Sequence, residues 1–106
     1  VRGFGGKKWI MTGIEMIADE RQSQIEKHGF TAQRDADTYT ESEDQDLIFA
    51  AVGTMLADDG NFPASWIHND WSFVQKICDK PILERLAIAG ALIAAEIDRI
   101  MILQRS

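Results

Sequence analysis

Apolar residues recur at helical spacing along most of the chain, and no segment shows the strict alternation of a half-buried strand. Ile14, Ile17, Ala18, Arg21 and Ile25 follow at steps of 3, 1, 3 and 4, which lines them along one helical face. Thr12 and Glu15 stand at capping-box spacing ahead of that stripe, and Gly29 supplies a natural stop after it. Residues 30–40 have no period and carry Thr31, Asp35, Asp37 and Thr38, so they read as a polar loop. Ser42 and Gln45 repeat the capping-box spacing. Glu43, Asp44 and Asp46 would then fall in a first turn, where the helix dipole favours acids. Residues 47–56 are apolar nearly all round, which predicts a helix buried on several sides.

Asp58-Asp59-Gly60-Asn61 ends that helix, and residues 61–79 read as a long connection with Pro63, Trp66, Trp71 and Phe73. One short helical turn is expected near Phe73 to Ile77. A connection this long is uncommon unless it has a task or packs down with its own side chains. Asp79 is placed to cap a final helix with Pro81 in its first turn, running to about Leu103 over roughly 36 Å. The prediction is an all-α fold of three main helices plus a long aromatic-rich loop. Ala87, Ala89, Gly90, Ala91, Ala94 and Ala95 permit close helix approach, within the chain or across a two-fold axis. A last helix with two apolar sides predicts packing as a helical homodimer.

Composition narrows the class. A chain of 106 residues with 45% hydrophobic side chains is long enough for one core and is expected to form one domain over 11–106. A single cysteine excludes an internal disulfide and fits a reducing, cytoplasmic setting. The Gly-rich first ten residues carry three of the 11 basic residues and none of the 17 acidic ones, so positions 11–106 hold 8 against 17, a net −9. With Met11 next, residues 1–10 are expected to be a flexible leader foreign to the native protein, the alternative being a basic arm. No apolar core of a signal peptide follows the basic residues, and the longest apolar run, Leu86 to Ala95, is too short to span a membrane. The whole-chain charge of −6 argues against nucleic acid and anionic lipid as partners.

Charges that interrupt apolar stripes are the candidate chemistry. Arg21 shares a face with Ile14, Ile17 and Ile25, and Glu96 is expected to share one with Ala89, Leu92, Ile93, Ile100 and Leu103. A buried charge is costly unless paired, so the two are expected to meet across the core as a bidentate pair. Such a pair either fixes helix register or, with Glu20, Gln24 and Asp46 nearby, opens onto a ligand pocket. The acids Asp35, Asp37, Glu41, Glu43, Asp44 and Asp46 are either a solvated loop or part of a Mg²⁺ site, which needs two to four converging carboxylates. His28 and His68 have no metal-ligand spacing and read as surface residues; Cys78 reads as half-buried packing. Trp66, Trp71 and Phe73 either anchor the long connection or stack on a flat ligand.

The segments Gly13-Ile14-Glu15, Ala18-Asp19-Glu20-Arg21-Gln22-Ser23-Gln24-Ile25 and Gly29-Phe30-Thr31 resemble the opening of small helical proteins from phages, prophages and mobile gene cassettes. The ending from Ala89 to Arg99 resembles theirs too, with Asp35, Asp37, Asp46-Leu47, Ala50-Ala51, Pro63, Trp66 and Trp71 in the same order between. The wider group it looks most like is the MazG-like all-α nucleotide pyrophosphohydrolases, which use Mg²⁺. That resemblance implies Glu20, Asp46 and Glu96 as metal carboxylates, although the group's Glu-Glu-x-x-Glu cluster is absent here. The resulting expectation is a nucleotide or other phosphorylated small molecule as ligand, with Arg21, Gln24, Trp66 and Trp71 as contacts. The alternative is a non-enzymatic interaction module, an adaptor or inhibitor acting through an acidic and aromatic surface.

Overall fold

A computed structural model describes residues 11–105, and the expectation for a leader at 1–10 lies outside the described residues. The described chain is all helical: α1 Gly13–His28, α2 Ala32–Thr38, α3 Asp46–Leu56, a 3-10 turn Asp59–Asn61, α4 Ala64–Asn69, α5 Trp71–Cys78 and α6 Ile82–Arg105. The three long helices are those expected, but three short ones accompany them.

α1 starts and stops on local signals. Thr12 Oγ1 accepts from Glu15 N at 3.1 Å while Thr12 N donates to Glu15 Oε1 at 2.8 Å, closing the capping box. That clamp holds the Glu15 carboxyl below the usual range, chiefly through the backbone N–H of Thr12. Gly29 ends the helix at φ 70, a left-handed value that a glycine adopts without strain.

Residues 30–40 are not a loop. Thr31 Oγ1 accepts from Arg34 N at 3.1 Å and starts α2, which lays Asp35 and Ala36 against α6. The second capping box does not form either: Gln45 precedes α3 without a side-chain hydrogen bond, and Ser42 Oγ donates instead to Glu43 at 3.2 Å. The 61–79 connection folds as α4 and α5; α5 brings Val74 and Ile77 into the core, and Phe62, which closes the 3-10 turn, joins them there. Asp79 closes α5, its N–H donating to Gln75 O at 3.0 Å, while α6 begins just after Pro81.

α6 is the axis on which α1, α2 and α3 pack, most heavily α3. Four of its six small residues, Ala87, Ala89, Ala91 and Ala95, are buried by this packing, so close approach is used within the chain. Gly90 lies under Ile17, whose Cδ1 would stand 2.5 Å from an added Cβ. Arg85 joins the ends of two helices, donating to Met55 O at 2.8 Å and Thr54 O at 3.3 Å at the close of α3. α3 itself is one-sided: Ala50, Ala51 and Thr54 are buried, but Ile48, Phe49 and Leu56 are exposed. The expectation of burial on several sides is corrected accordingly.

The Arg21–Glu96 pair does not exist. Arg21 Nη1 donates to Phe30 O at 2.8 Å and Nη2 lies 3.7 Å from Asp98, fixing the turn between α1 and α2. Glu96 instead holds Arg99, the largest fully buried side chain among the described residues. The face assigned to Glu96 was rotated, since Ile93 is half exposed while Arg99 shares the inner side with Ile88, Leu92 and Ala95. Arg99 Nε donates to Glu96 Oε1 at 2.7 Å and Nη2 to Oε2 at 3.0 Å. Its remaining N–H groups donate to Tyr39 O, to Glu41 O at 2.9 Å and to Asp44 O at 3.0 Å. Residues 39–44, which link α2 to α3, are thereby fastened onto α6. The Glu96 hydrogen bond raises the Arg99 pKa further above its ordinary value.

Asp35 is also buried, with Oδ2 unpartnered and Oδ1 3.4 Å from Arg34 Nη1. Burial raises its pKa above the ordinary 3.8, against the opposing charges of Arg21, Arg34 and Arg99. The folded state therefore favours the protonated acid. That contribution is full below pH 3.8 and is lost as pH rises through the elevated folded value. Asp35→Asn removes the ionisation, so its melting temperature relative to the parent is expected to climb over that window. A difference that stays constant from pH 3 upward would show that ionising Asp35 costs the fold nothing.

Candidate functional site

Among the described residues, cavities remain where the short helices and α1 meet the core, and a pair of them shares its aromatic lining. The larger, about 750 Å³, lies among the end of α1, α2, the start of α3, α4 and α5. Its walls are aromatic: His28, Phe30, Tyr39, Trp66 and Phe73. Each ring is held. Trp66 Nε1 donates to Tyr39 Oη at 3.0 Å, joining α4 to the residue that closes α2. Phe73 stands 6.2 Å from the Trp66 ring and 5.5 Å, edge-on, from His28. Phe30 is fixed through its carbonyl by Arg21 and through its ring by Arg34, whose guanidinium carbon lies 4.7 Å from the centroid.

The polar complement of this cleft is Arg34, three carboxylates (Asp44, Asp46 and Asp70), Asn69, and the hydroxyls of Thr38 and Ser65. Burial raises the Tyr39 pKa, so its hydroxyl stays neutral and can accept from Trp66. The combination suits a flat ring with several hydrogen-bonding edges. It also opposes a dense negative charge, with three acids set against one arginine.

The smaller cavity, about 250 Å³, shares four of these ring residues. His28, Phe30, Trp66 and Phe73 line both spaces. Its floor is Ile77 of α5 with Ile88 and Leu92 of α6, its α1 wall includes Gln24, and Glu20, Lys27, Lys80 and Glu84 stand around it.

The residues singled out from sequence separate in space. Trp66 lines both cavities, Gln24 and Glu20 only the smaller, and Asp46 only the larger. Arg21 lines neither; it acts through Phe30. Trp71 also lines neither and is half exposed on the outer side of α5. The structure does not bring Glu20, Asp46 and Glu96 together, and among the described residues no group of three or more His, Cys, Asp or Glu could hold a metal ion. With Glu96 taken up by Arg99, a three-carboxylate Mg²⁺ centre does not fit these side chains. His28 is exposed at the surface as expected, yet its ring lines both cavities. Cys78 is half-buried, and burial raises its thiol pKa, away from a reactive thiolate.

Tyr39, Phe30 and Arg34 are wall residues that sequence reasoning passed over, because they lie in the stretch read as loop. Thr31 at cap spacing ahead of Arg34 was the available signal. Compared with protein-family models, curated proteins and solved structures, the chain matches none. Among the described residues no helix is long and apolar enough to cross a membrane.

Proposed function

We propose that the protein binds a nucleotide-like small molecule in the larger cleft, its ring against the aromatic wall and a single phosphate at Arg34. The observation that carries this reading is the set of immobilised rings around a space of about 750 Å³, within the range of small-molecule sites. One guanidinium matches one phosphate, and the three carboxylates repel a longer chain of them. The resemblance to nucleotide-handling helical proteins points the same way. Binding, rather than hydrolysis, is the activity proposed, since the metal carboxylates implied by that resemblance are dispersed.

A thermal-shift panel of nucleosides, mono-, di- and triphosphates, with and without Mg²⁺, tests it. A monophosphate at about 100 times its dissociation constant adds about 2.7 kcal/mol, a shift of several degrees. Arg34→Met is expected to weaken the monophosphate roughly tenfold more than the nucleoside, which loses only the Arg34 support of the Phe30 ring. Equal loss for both, or no shift with any member, removes the assignment.

A second reading is an interaction protein that pairs with a second copy. It draws on the outward faces of α3 and α6, where Ile48, Phe49 and Leu56, and Leu86, Ile93, Ile97 and Met101, are each about half exposed or more. Sedimentation equilibrium of the full chain distinguishes one copy from two.

A further inference from the structure

α2 serves two neighbours. Its Arg34 and Thr38 line the larger cleft, while Asp35 and Ala36 are buried against α6. The chain on either side of it is held by arginine. Arg21 Nη1 donates to Phe30 O at 2.8 Å before the helix, and Arg99 donates to Tyr39 O and, at 2.9 Å, to Glu41 O after it. Between these clasps the hydrogen bonds run along the helix: Asp35 N to Thr31 O at 3.0 Å, Gln33 Nε2 to Asp37 Oδ1 at 3.0 Å and Thr38 Oγ1 to Arg34 O at 2.9 Å. Of the seven residues of α2, only Asp35 and Ala36 are buried. So short a helix has little stability of its own, and one alanine beside one acid is a small anchor.

The acid makes that anchor conditional. Asp35 is 1% exposed, and its Oδ2 has no hydrogen-bond partner. Guanidinium charges reach it from α1 (Arg21), from α2 itself (Arg34) and from α6 (Arg99), yet none bonds that oxygen. Arg99 has all five N–H groups engaged elsewhere. Arg21 is committed to Phe30 O and Asp98, and its Nε, though unpartnered, makes no bond to Asp35. Arg34 lies over the Phe30 ring and comes only to Oδ1, at 3.4 Å. Tyr39 feels the same acid, and Glu96 of α6 is taken up by Arg99. Protonated, Asp35 has no charge to bury. Ionised, it has one, and lifting α2 off α6 returns the carboxylate to water while both clasps stay closed.

We propose that α2 is a pH-dependent strap on the larger cleft, seated on α6 while Asp35 is protonated and released, with Arg34 and Thr38, when it ionises. The strap does not depend on what the cleft binds. In the released state the carboxyl has its ordinary value of 3.8, and in the seated state burial raises it. The seated form is therefore favoured fully below 3.8. Its advantage is lost as pH rises through the seated value, by at most about tenfold per pH unit for a single proton.

Amide exchange of the full chain, followed by ¹H–¹⁵N NMR from about pH 3.5 to 7 and corrected for intrinsic exchange at each pH, reads this release. At neutral pH the Ala36 and Asp37 amides are expected to be at least about tenfold less protected than those of Leu92 and Ala95 in α6. Their protection is expected to fall about threefold or more across the range, with its midpoint at the ¹³C titration of the Asp35 carboxyl. Equal protection in the two helices would mean that α2 opens only with the whole fold, and overturns the strap. Protection of α2 that does not change with pH overturns it as well. Asp35→Asn cannot ionise and is expected to flatten the α2 profile; a fall that persists in this variant assigns the effect to another group. The comparison of α2 with α6 in the parent stands whatever the stability of the variant.

Discussion

Replacing Arg99 by methionine is expected to destabilise the protein by about 3–5 kcal/mol, read as a lower denaturant midpoint and a melting temperature at least about 12 °C lower. The guanidinium has five N–H donors, and each has an acceptor: two oxygens of Glu96 and the carbonyls of Tyr39, Glu41 and Asp44. Methionine fills much of the volume but leaves three backbone carbonyls and a largely buried carboxylate without that partner. Arg99→Lys is expected to lose nearly as much. An ammonium has three donors and no planar fork, so it cannot satisfy acceptors arranged on two sides. Glu96→Gln should cost less, because it keeps one acceptor and Glu96 retains 12% side-chain exposure. If Arg99→Lys were within about 1 kcal/mol of the parent, the fork geometry would not be what holds residues 39–44. Because Tyr39 and Asp44 both line the larger cleft, the same variants should also weaken any ligand bound there.

Phe62→Ala is expected to cost about 3–5 kcal/mol, the range for emptying a buried aromatic site. Phe62 is 4% exposed and rests on the backbone of α3 at Gly53. An added Cβ at Gly53 would stand 2.5 Å from Phe62 Cδ1 and 3.1 Å from the carbonyl oxygen of Asp58. Gly53→Ala should gain about 1 kcal/mol in helix propensity. It loses more by displacing the ring, leaving a net cost of about 1–2 kcal/mol. The two changes are coupled, since removing the ring removes the obstacle. The double variant is expected to be more stable than the sum of the single losses predicts, by at least about 1 kcal/mol. Strict additivity in urea unfolding would mean that Phe62 does not press on Gly53. The Phe62 ring also lies 6.1 Å from Trp66, so its loss should loosen the wall shared by both cavities.

The elements that could be read in the sequence are those whose signals are local. α1 has its cap and its stop within eighteen consecutive residues, Thr12 to Gly29, and both behave as their spacing requires. Its stripe does not: Ile14 is 81% exposed and Ala18 is exposed, while Met16 and Gln24 are the residues of α1 that are buried. α2 has only seven residues and two alanines, and it exists because Asp35 and Ala36 find α6 to pack against. Propensity alone does not stabilise a helix so short. Arg99 left a trace that went unread, since it continues the Ile88, Leu92 and Ala95 stripe at helical spacing. An inward arginine needs acceptors, and here most of them are carbonyls of a segment far along the chain, which no residue pattern announces. The pairing of Arg21 with Glu96 failed for the same reason. Two charges on apolar faces say that each needs a partner and nothing about which one.

The sequence by itself determined that the chain is helical, where its three long helices run, and that charge and cysteine content leave it ordinary apart from its aromatic connection. These properties depend on neighbours a turn or two away. Tertiary structure alone decided that Trp66 and Phe73 line two neighbouring spaces, that Gln24 is buried with an unpaired oxygen, and that Glu20, Asp46 and Glu96 form no metal-holding group. A cavity is space that packing leaves unfilled, and it depends on the crossing of helices distant in sequence, to which hydrophobic periodicity is blind.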